Sequence, residues 1–305
     1  MQNAEKIIEV TNLVKHYGKF VALNGTSFDV FRGDVFGFLG PNGAGKSTTI
    51  RAILSLINLT SGQIKVFGKD INTSRNYILQ HIGCIVEKPD FYNYLSAEKN
   101  LEIFARLSDS NVSQKKIYEM IEFVGLKGRE KTKLREFSHG MKQRLGIAQT
   151  LMHDPELIIL DEPTTGLDPQ GIIDIRNLIL QLKNERNKTV LLSSHILSEI
   201  EMIANRMVII NKGKTIVQGP VIDLLNAQEL IVSFSVDDSE KAKSLIHSSN
   251  LAINIDRIEG NDLFIHISRE KIPGLNKLLC DNGIRVFSIE AKRKLEDYFL
   301  KLIGS

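Results

Sequence analysis

Phe38-Leu39-Gly40-Pro41-Asn42-Gly43-Ala44-Gly45-Lys46-Ser47-Thr48-Thr49 reads as an apolar strand, a glycine-rich turn and the first turn of a helix. Gly40, Gly43 and Gly45 permit left-handed or crowded backbone, so successive N–H groups can turn inward onto phosphate oxygens. The helix opening at Lys46 aims its dipole at the same place. Lys46 then reaches the outer phosphates as a point charge, and the Ser47 hydroxyl suits Mg²⁺, a hard cation that prefers oxygen ligands. The motif needs a strand before it and a helix after it. Val35, Phe36, Phe38 and Leu39 supply the first, and Ile50, Ile53, Leu54 and Ile57 recur at helical spacing to supply the second.

Outward from this cradle, residues 5–31 alternate weakly between apolar and polar, which predicts short, half-exposed antiparallel strands. Tyr17, in the turn between them, is placed to stack on an adenine ring or simply to pack the turn. Ile64 and Val66 with Gly68-Lys69-Asp70 continue the antiparallel layer. Ile82-Gly83-Cys84-Ile85-Val86 predicts a buried strand that ends at Glu87. The aromatic run Phe91-Tyr92-Asn93-Tyr94 either docks a partner helix or packs the helical layer that follows. Residues 96–152 read as almost entirely helical. Near their end Ser138, with Gly140, can cap a helix; such a capped N-terminus is an ordinary helix start or a second anion site.

Leu157-Ile158-Ile159-Leu160 is a buried strand closed by two carboxylates, Asp161 and Glu162. Ligands of α/β sheets gather at the strands' carboxyl ends, which places Asp161 to hold Mg²⁺ and Glu162 to orient an attacking water. Thr164 to Asp168 forms a turn into a helix over residues 172–182. Thr189 to Ser194 repeats the pattern of an apolar strand with a polar end, followed by His195, which either meets a γ-phosphate or is a structural histidine.

With 305 residues and 42% hydrophobic content, the chain predicts one large or two unequal domains. The second is expected from near Glu229, with strand, helix, two strands, helix, strand and a closing helix (Leu295, Tyr298, Phe299, Leu302), an order that suggests a ferredoxin-like sandwich. No stretch approaches the roughly 18 apolar residues of a membrane span, and the polar start predicts a cytoplasmic protein. Cys84 and Cys280, far apart and without metal-ligand spacing, are expected as core thiols. A formal net charge of +3 without long Lys/Arg blocks nominates no nucleic-acid partner.

Taken in this order, the motifs resemble those of an ATP-binding subunit of the ABC family over about residues 5–225. Tyr17 is similar to the adenine-stacking aromatic, and Gly40, Pro41, Asn42, Gly43, Ala44, Gly45, Lys46, Ser47 and Thr48 to the Walker A loop. Ser138 and Gly140 match two signature positions, Asp161 the Walker B aspartate, Glu162 the catalytic glutamate, Asp168 the D-loop aspartate and His195 the switch histidine. The resemblance implies a P-loop NTPase core of ABC type in residues 1–225, with a mixed sheet, an antiparallel β layer and a helical insertion at about 88–152. Residues 226–305 would form a small α+β ferredoxin-like accessory domain.

It also implies ATP and Mg²⁺ as cofactors and a head-to-tail homodimer closing over two ATP molecules. Separate membrane-spanning permease subunits and a place on the cytoplasmic face of the membrane follow, with no nucleic acid. Glu87 stands where the family usually has Gln, and His139 where its signature has Gly. Glu87 resembles a variant of the bacitracin- and lantibiotic-type exporters, which favours export of antimicrobial peptides or similar amphiphiles. As a carboxylate it can serve as a Mg²⁺ ligand in place of the amide oxygen, while adding charge beside the γ-phosphate. Two other readings stay open from the residues: a soluble ATP switch acting on ribosomes or nucleic acid, and a weakly hydrolysing nucleotide-binding regulator.

Overall fold

The computed structural model describes residues 5–107, 112–226, 231–249 and 253–292. The chain divides into two compact units, Met1–Val221 and Ile222–Ser305.

In the larger unit, strands β1 (Lys6–Tyr17), β2 (Phe20–Phe31), β4 (Ser61–Val66) and β5 (Lys69–Asp70) form an antiparallel sheet in the order β2-β1-β4-β5. The expected short strands are two long ones of 12 residues each. Register shifts along β1, between Val10 and Leu13 and again beyond it, switch which residues face inward, and that is why the alternation is weak in the sequence.

A second, mixed sheet comprises β3 (Val35–Leu39), β6 (Ile82–Ile85), β7 (Leu157–Leu160), β8 (Thr189–Ser194), β9 (Arg206–Asn211) and β10 (Lys214–Pro220), in the order β10-β9-β3-β8-β7-β6. Only β10 runs antiparallel to its neighbour. Strands β3, β7 and β8 are buried along their whole length, which their near-continuous apolar sequence requires in a sheet covered on both faces. Phe28 of the first sheet stacks on Phe36 of the second at 5.7 Å and meets Phe38 at 5.0 Å, so aromatic packing joins the sheets directly beneath the glycine-rich turn.

The helices of this unit are α1 (Lys46–Ile53), α2 (Arg75–Gln80), α3 (Ala97–Leu107), α4 (Gln114–Phe123), α5 (His139–Thr150), α6 (Pro169–Arg186), α7 (Leu197–Ile203) and α8 (Val221–Asn226), the last crossing the boundary. The expectation of nearly continuous helix over 96–152 is corrected. Between α4 and α5 the chain is mostly turn, opened by Gly125 and Gly128 at φ 71° and 83° and holding only a short 3₁₀ turn at Leu134–Glu136. Cys84 and Cys280 are exposed rather than core thiols; Cys84 lies on β6, at the end of its sheet.

The smaller unit contains β11 (Ile231–Val236), α9 (Ser239–Ser248), β12 (Asn254–Glu259), β13 (Asp262–His266), α10 (Ile272–Asp281) and β14 (Val286–Lys292). Its sheet has the order β12-β13-β11-β14 with every neighbouring pair antiparallel. Val232, Phe234, Leu263 and Ile265 meet Ala242, Ile246, Leu275 and Leu279 in a core of its own. The expected closing helix at Leu295 to Leu302 lies outside the described residues. Among the described residues no helix is long and apolar enough to cross a membrane.

Candidate active site

Parallel register is what assembles the site. Leu39 pairs with Ser194 and Leu160 with Leu192, so the carboxyl ends of β3, β8 and β7 lie side by side. The turn after β3, the carboxylates after β7 and His195 after β8 therefore converge on one end of the sheet.

The turn is shaped by crowding as well as torsion. A Cβ on Gly40 would sit 2.6 Å from the Ile210 carbonyl; one on Gly45, at φ 108°, would sit 2.8 Å from Leu23 and 2.9 Å from the Ala22 carbonyl. Gly45 is the N-cap of α1 and no side chain caps that helix. Its first-turn amides thus keep unpaired donors for a ligand. Lys46 is buried at 6% exposure. Its Nζ donates to the Gly40 carbonyl at 2.8 Å and the Pro41 carbonyl at 3.3 Å, and lies 3.1 Å from Glu162 Oε1.

Asp161 is 2% exposed, and its Oδ1 accepts from the Ser193 hydroxyl at 2.5 Å. The same Ser193 Oγ accepts the Glu162 N–H at 2.9 Å, so one buried hydroxyl ties the Asp161 carboxylate to the Glu162 backbone. Glu162 stands at φ 50°, a left-handed conformation costly for a residue with a Cβ. Its Oε2 meets His195 Nδ1 at 2.7 Å and accepts from the Thr165 hydroxyl at 3.0 Å. Burial pushes the Glu162 carboxyl up, but the His195 hydrogen bond and the Lys46 ammonium together outweigh it and hold it below the usual glutamate range. The group is an anion at neutral pH.

Lys46, Glu162 and His195 open onto a cavity of about 400 Å³ lined also by Asn42, Gly43, Gly45, Ser47, Thr48 and Thr165, with Phe20 and Ala22 on the β2 side, while Asp161 and Ser193 are buried off its wall. Uncapped amides and an ammonium beside the Ser47 and Thr48 hydroxyls form the donor set of a polyphosphate site. Among the described residues no three His, Cys, Asp or Glu side chains cluster as a metal site. A Mg²⁺ ion here would rest on Ser47, on Asp161 and on oxygens of the ligand and water, which suits an ion that keeps much of its water shell.

The other expected residues lie elsewhere. Tyr17 is 47% exposed with Lys15 Nζ 4.7 Å over its ring, and Phe20, across the hairpin turn, lines the cavity in its stead. Pro41 and Ala44 shape the turn, with the Ala44 N–H donating to the Pro41 carbonyl at 3.1 Å, but neither lines the cavity. Ser138 is the N-cap of α5 and accepts the Met141 N–H at 3.2 Å; Asp168 is the N-cap of α6 and accepts the Gly171 N–H at 2.9 Å. Ser138, Gly140 and Asp168 are absent from the cavity wall. Glu87, at φ 67°, is also off it, with its carboxylate ion-paired to Arg51 in the last turn of α1. In this arrangement Arg51, and not the cavity, engages the Glu87 carboxylate expected at Mg²⁺. Phe20, Ser193 and Thr165 were not read as site residues from the sequence. Ser193 carried one usable signal, a hydroxyl at the polar end of an apolar strand.

The ABC transporter family model matches residues 23–165. The chain is 44% identical to the bacitracin transport ATP-binding protein BcrA of Bacillus licheniformis, over 98% of this chain and 97% of that protein. It is 40% identical to the lantibiotic transport ATP-binding protein SrtF of Streptococcus pyogenes, over 73% of this chain and 95% of that one. Among solved structures, an ATP-binding cassette of an ABC transporter in its ADP conformation superposes with a TM-score of 0.64 at 26% identity, covering 72% of this chain and 95% of its own.

Proposed function

From the premise that this chain belongs to the ABC transporter family of ATP-binding subunits, which are ATPases, we propose that it is the motor of an exporter for antimicrobial peptides or similar amphiphiles. The observation that carries this reading is the likeness to a bacitracin transport ATP-binding protein along 98% of the chain, beyond the nucleotide-binding unit alone.

In this reading the amides at the start of α1 and the Lys46 ammonium bind the phosphates, and Lys46 exchanges its contact with Glu162 for them. Ser47 and Asp161 hold Mg²⁺, which offsets charge on the phosphates. Glu162, released from Lys46 and still held by Thr165, orients the attacking water and accepts its proton, while His195 steadies the outer phosphate. Tyr17 or Phe20 supports the base. Glu87 would be free to ligate Mg²⁺ only if its ion pair with Arg51 were released.

Ser138, Gly140 and Asp168 find a use in a head-to-tail homodimer, where α5 of one chain presents its Ser138-capped N-terminus to the other chain's nucleotide. The pair works on the cytoplasmic face of the membrane beneath separate membrane-spanning subunits. The antiparallel order β12-β13-β11-β14 supports a ferredoxin-like accessory domain. Tyr92 and Tyr94, 45% and 68% exposed with rings 6.1 Å apart, form the seat for the membrane subunit.

The test is affinity capture of the tagged chain from detergent-solubilised membranes in the presence of ATP. A co-purifying multi-span protein, lost from Tyr92→Ala/Tyr94→Ala while ATP affinity is unchanged, is the expected result. Ribosomal proteins or DNA in its place would refute the export reading.

A further inference from the structure

The turn between Glu162 and Asp168 is held from both sides. On one side the Thr165 hydroxyl donates to Glu162 Oε2 at 3.0 Å and the Thr165 N–H to the Glu162 carbonyl at 3.2 Å. On the other, His139, the first residue of α5, places its Nε2 at 3.3 Å from the Thr165 carbonyl. The imidazole lies against Gly166, which stands at φ 77°; a Cβ there would be 3.7 Å from Nε2. One residue further on, Leu167 sits 3.8 Å from where a Gly140 Cβ would be. The first turn of α5 is thereby clasped to the turn that carries the Glu162 partner. A glycine at 139 has no side chain with which to make this contact.

We propose that His139 and Thr165 are positioning residues that link the two nucleotide sites of the pair. The inference rests on the head-to-tail reading above. In that arrangement Ser138, beside His139, meets the partner's nucleotide, while Glu162 acts on the nucleotide of its own chain. A shift of the α5 N-terminus as it engages phosphate is passed by the His139 to Thr165 contact to the hydroxyl that holds Glu162 Oε2. The path is one side chain and one residue long. It needs the proton on His139 Nε2, because the carbonyl can only accept. Occupancy of one site thus sets the orientation of the base at the other, a coupling between two distinct sites through identified contacts.

The experiment is steady-state ATP hydrolysis by the full chain as a function of ATP concentration, with matched substitutions. Thr165→Val is expected to lower kcat about tenfold with KM for ATP changed less than about twofold, while Thr165→Ser keeps the wild-type rate. His139→Ala is expected to lower kcat and to bring the Hill coefficient down toward unity. His139→Gln, whose amide nitrogen takes the place of Nε2, restores both. Wild-type cooperativity in His139→Ala, or His139→Gln behaving no better than His139→Ala, overturns the proposal. Light scattering of Glu162→Gln with ATP separates the two levels: absence of the pair overturns the head-to-tail reading and this inference with it. A normal pair combined with wild-type kinetics in His139→Ala overturns this inference alone.

Discussion

Ser193→Ala removes a single oxygen that satisfies two groups at once. Ser193 is fully buried, donates to Asp161 Oδ1 at 2.5 Å and accepts the Glu162 N–H at 2.9 Å. A hydrogen bond to a charged group contributes about 1.5–3 kcal/mol, and an orphaned buried N–H costs about 1–3 kcal/mol. Asp161, at 2% exposure, cannot turn to water for compensation. A net loss of about 3 kcal/mol is therefore expected, which for a unit of this size lowers Tm by about 6–12 °C. Calorimetry of the nucleotide-free protein reads the shift, and phosphate release reads its consequence, since the Asp161 carboxylate loses its donor and the Glu162 backbone its acceptor. A Tm within about 2 °C of wild type, with unchanged turnover, would refute the claim that this hydroxyl organises the site.

Gly45→Ala sets a Cβ 2.8 Å from Leu23 and 2.9 Å from the Ala22 carbonyl at φ 108°, so nucleotide affinity should fall by at least about tenfold in a fluorescent-ATP titration. The Glu162 carboxyl has a folded-state pKa below its ordinary value of 4.5, so its contribution to stability is complete above that value and is lost as pH falls through the lower folded one. The Tm gap between wild type and Glu162→Gln should accordingly be constant from neutral pH to about pH 5.5 and close on further acidification; a gap that widens there contradicts the assignment. Arg51 and Glu87 are 38% and 67% exposed, so Arg51→Ala should cost less than about 1 kcal/mol by chemical denaturation. A larger loss would mean that the pair holds more than the Glu87 loop.

The parts of the site legible in the sequence are those that local pattern determines. The cradle could be read because its three glycines sit between an apolar strand and a helix. Asp161 and Glu162 could be read because they end an unbroken apolar run. What stayed hidden depends on contacts between distant segments. Ser193 acquires its role only when β8 lies beside β7, and Thr165 only when the chain after Glu162 turns back on the carboxylate. Phe20 faces the cavity through the twist and bulges of the β1–β2 hairpin, which no alternation count conveys. Glu87 reads as a site residue from its place at a strand end, yet Arg51, 36 residues earlier on α1, takes its carboxylate. Cys84 reads as buried because it sits in an apolar run, yet it is exposed on β6 while Ile82 and Ile85 of the same strand are buried.

The central claim is that this chain hydrolyses ATP with Glu162 as the group that readies water. Its most direct test is Mg²⁺-dependent phosphate release by wild type and Glu162→Gln, measured alongside ATP affinity on the same preparations. The account predicts steady release from wild type and a rate at least about 100-fold lower in Glu162→Gln, with affinity held within about twofold. Hydrolysis by Glu162→Gln at the wild-type rate would contradict it.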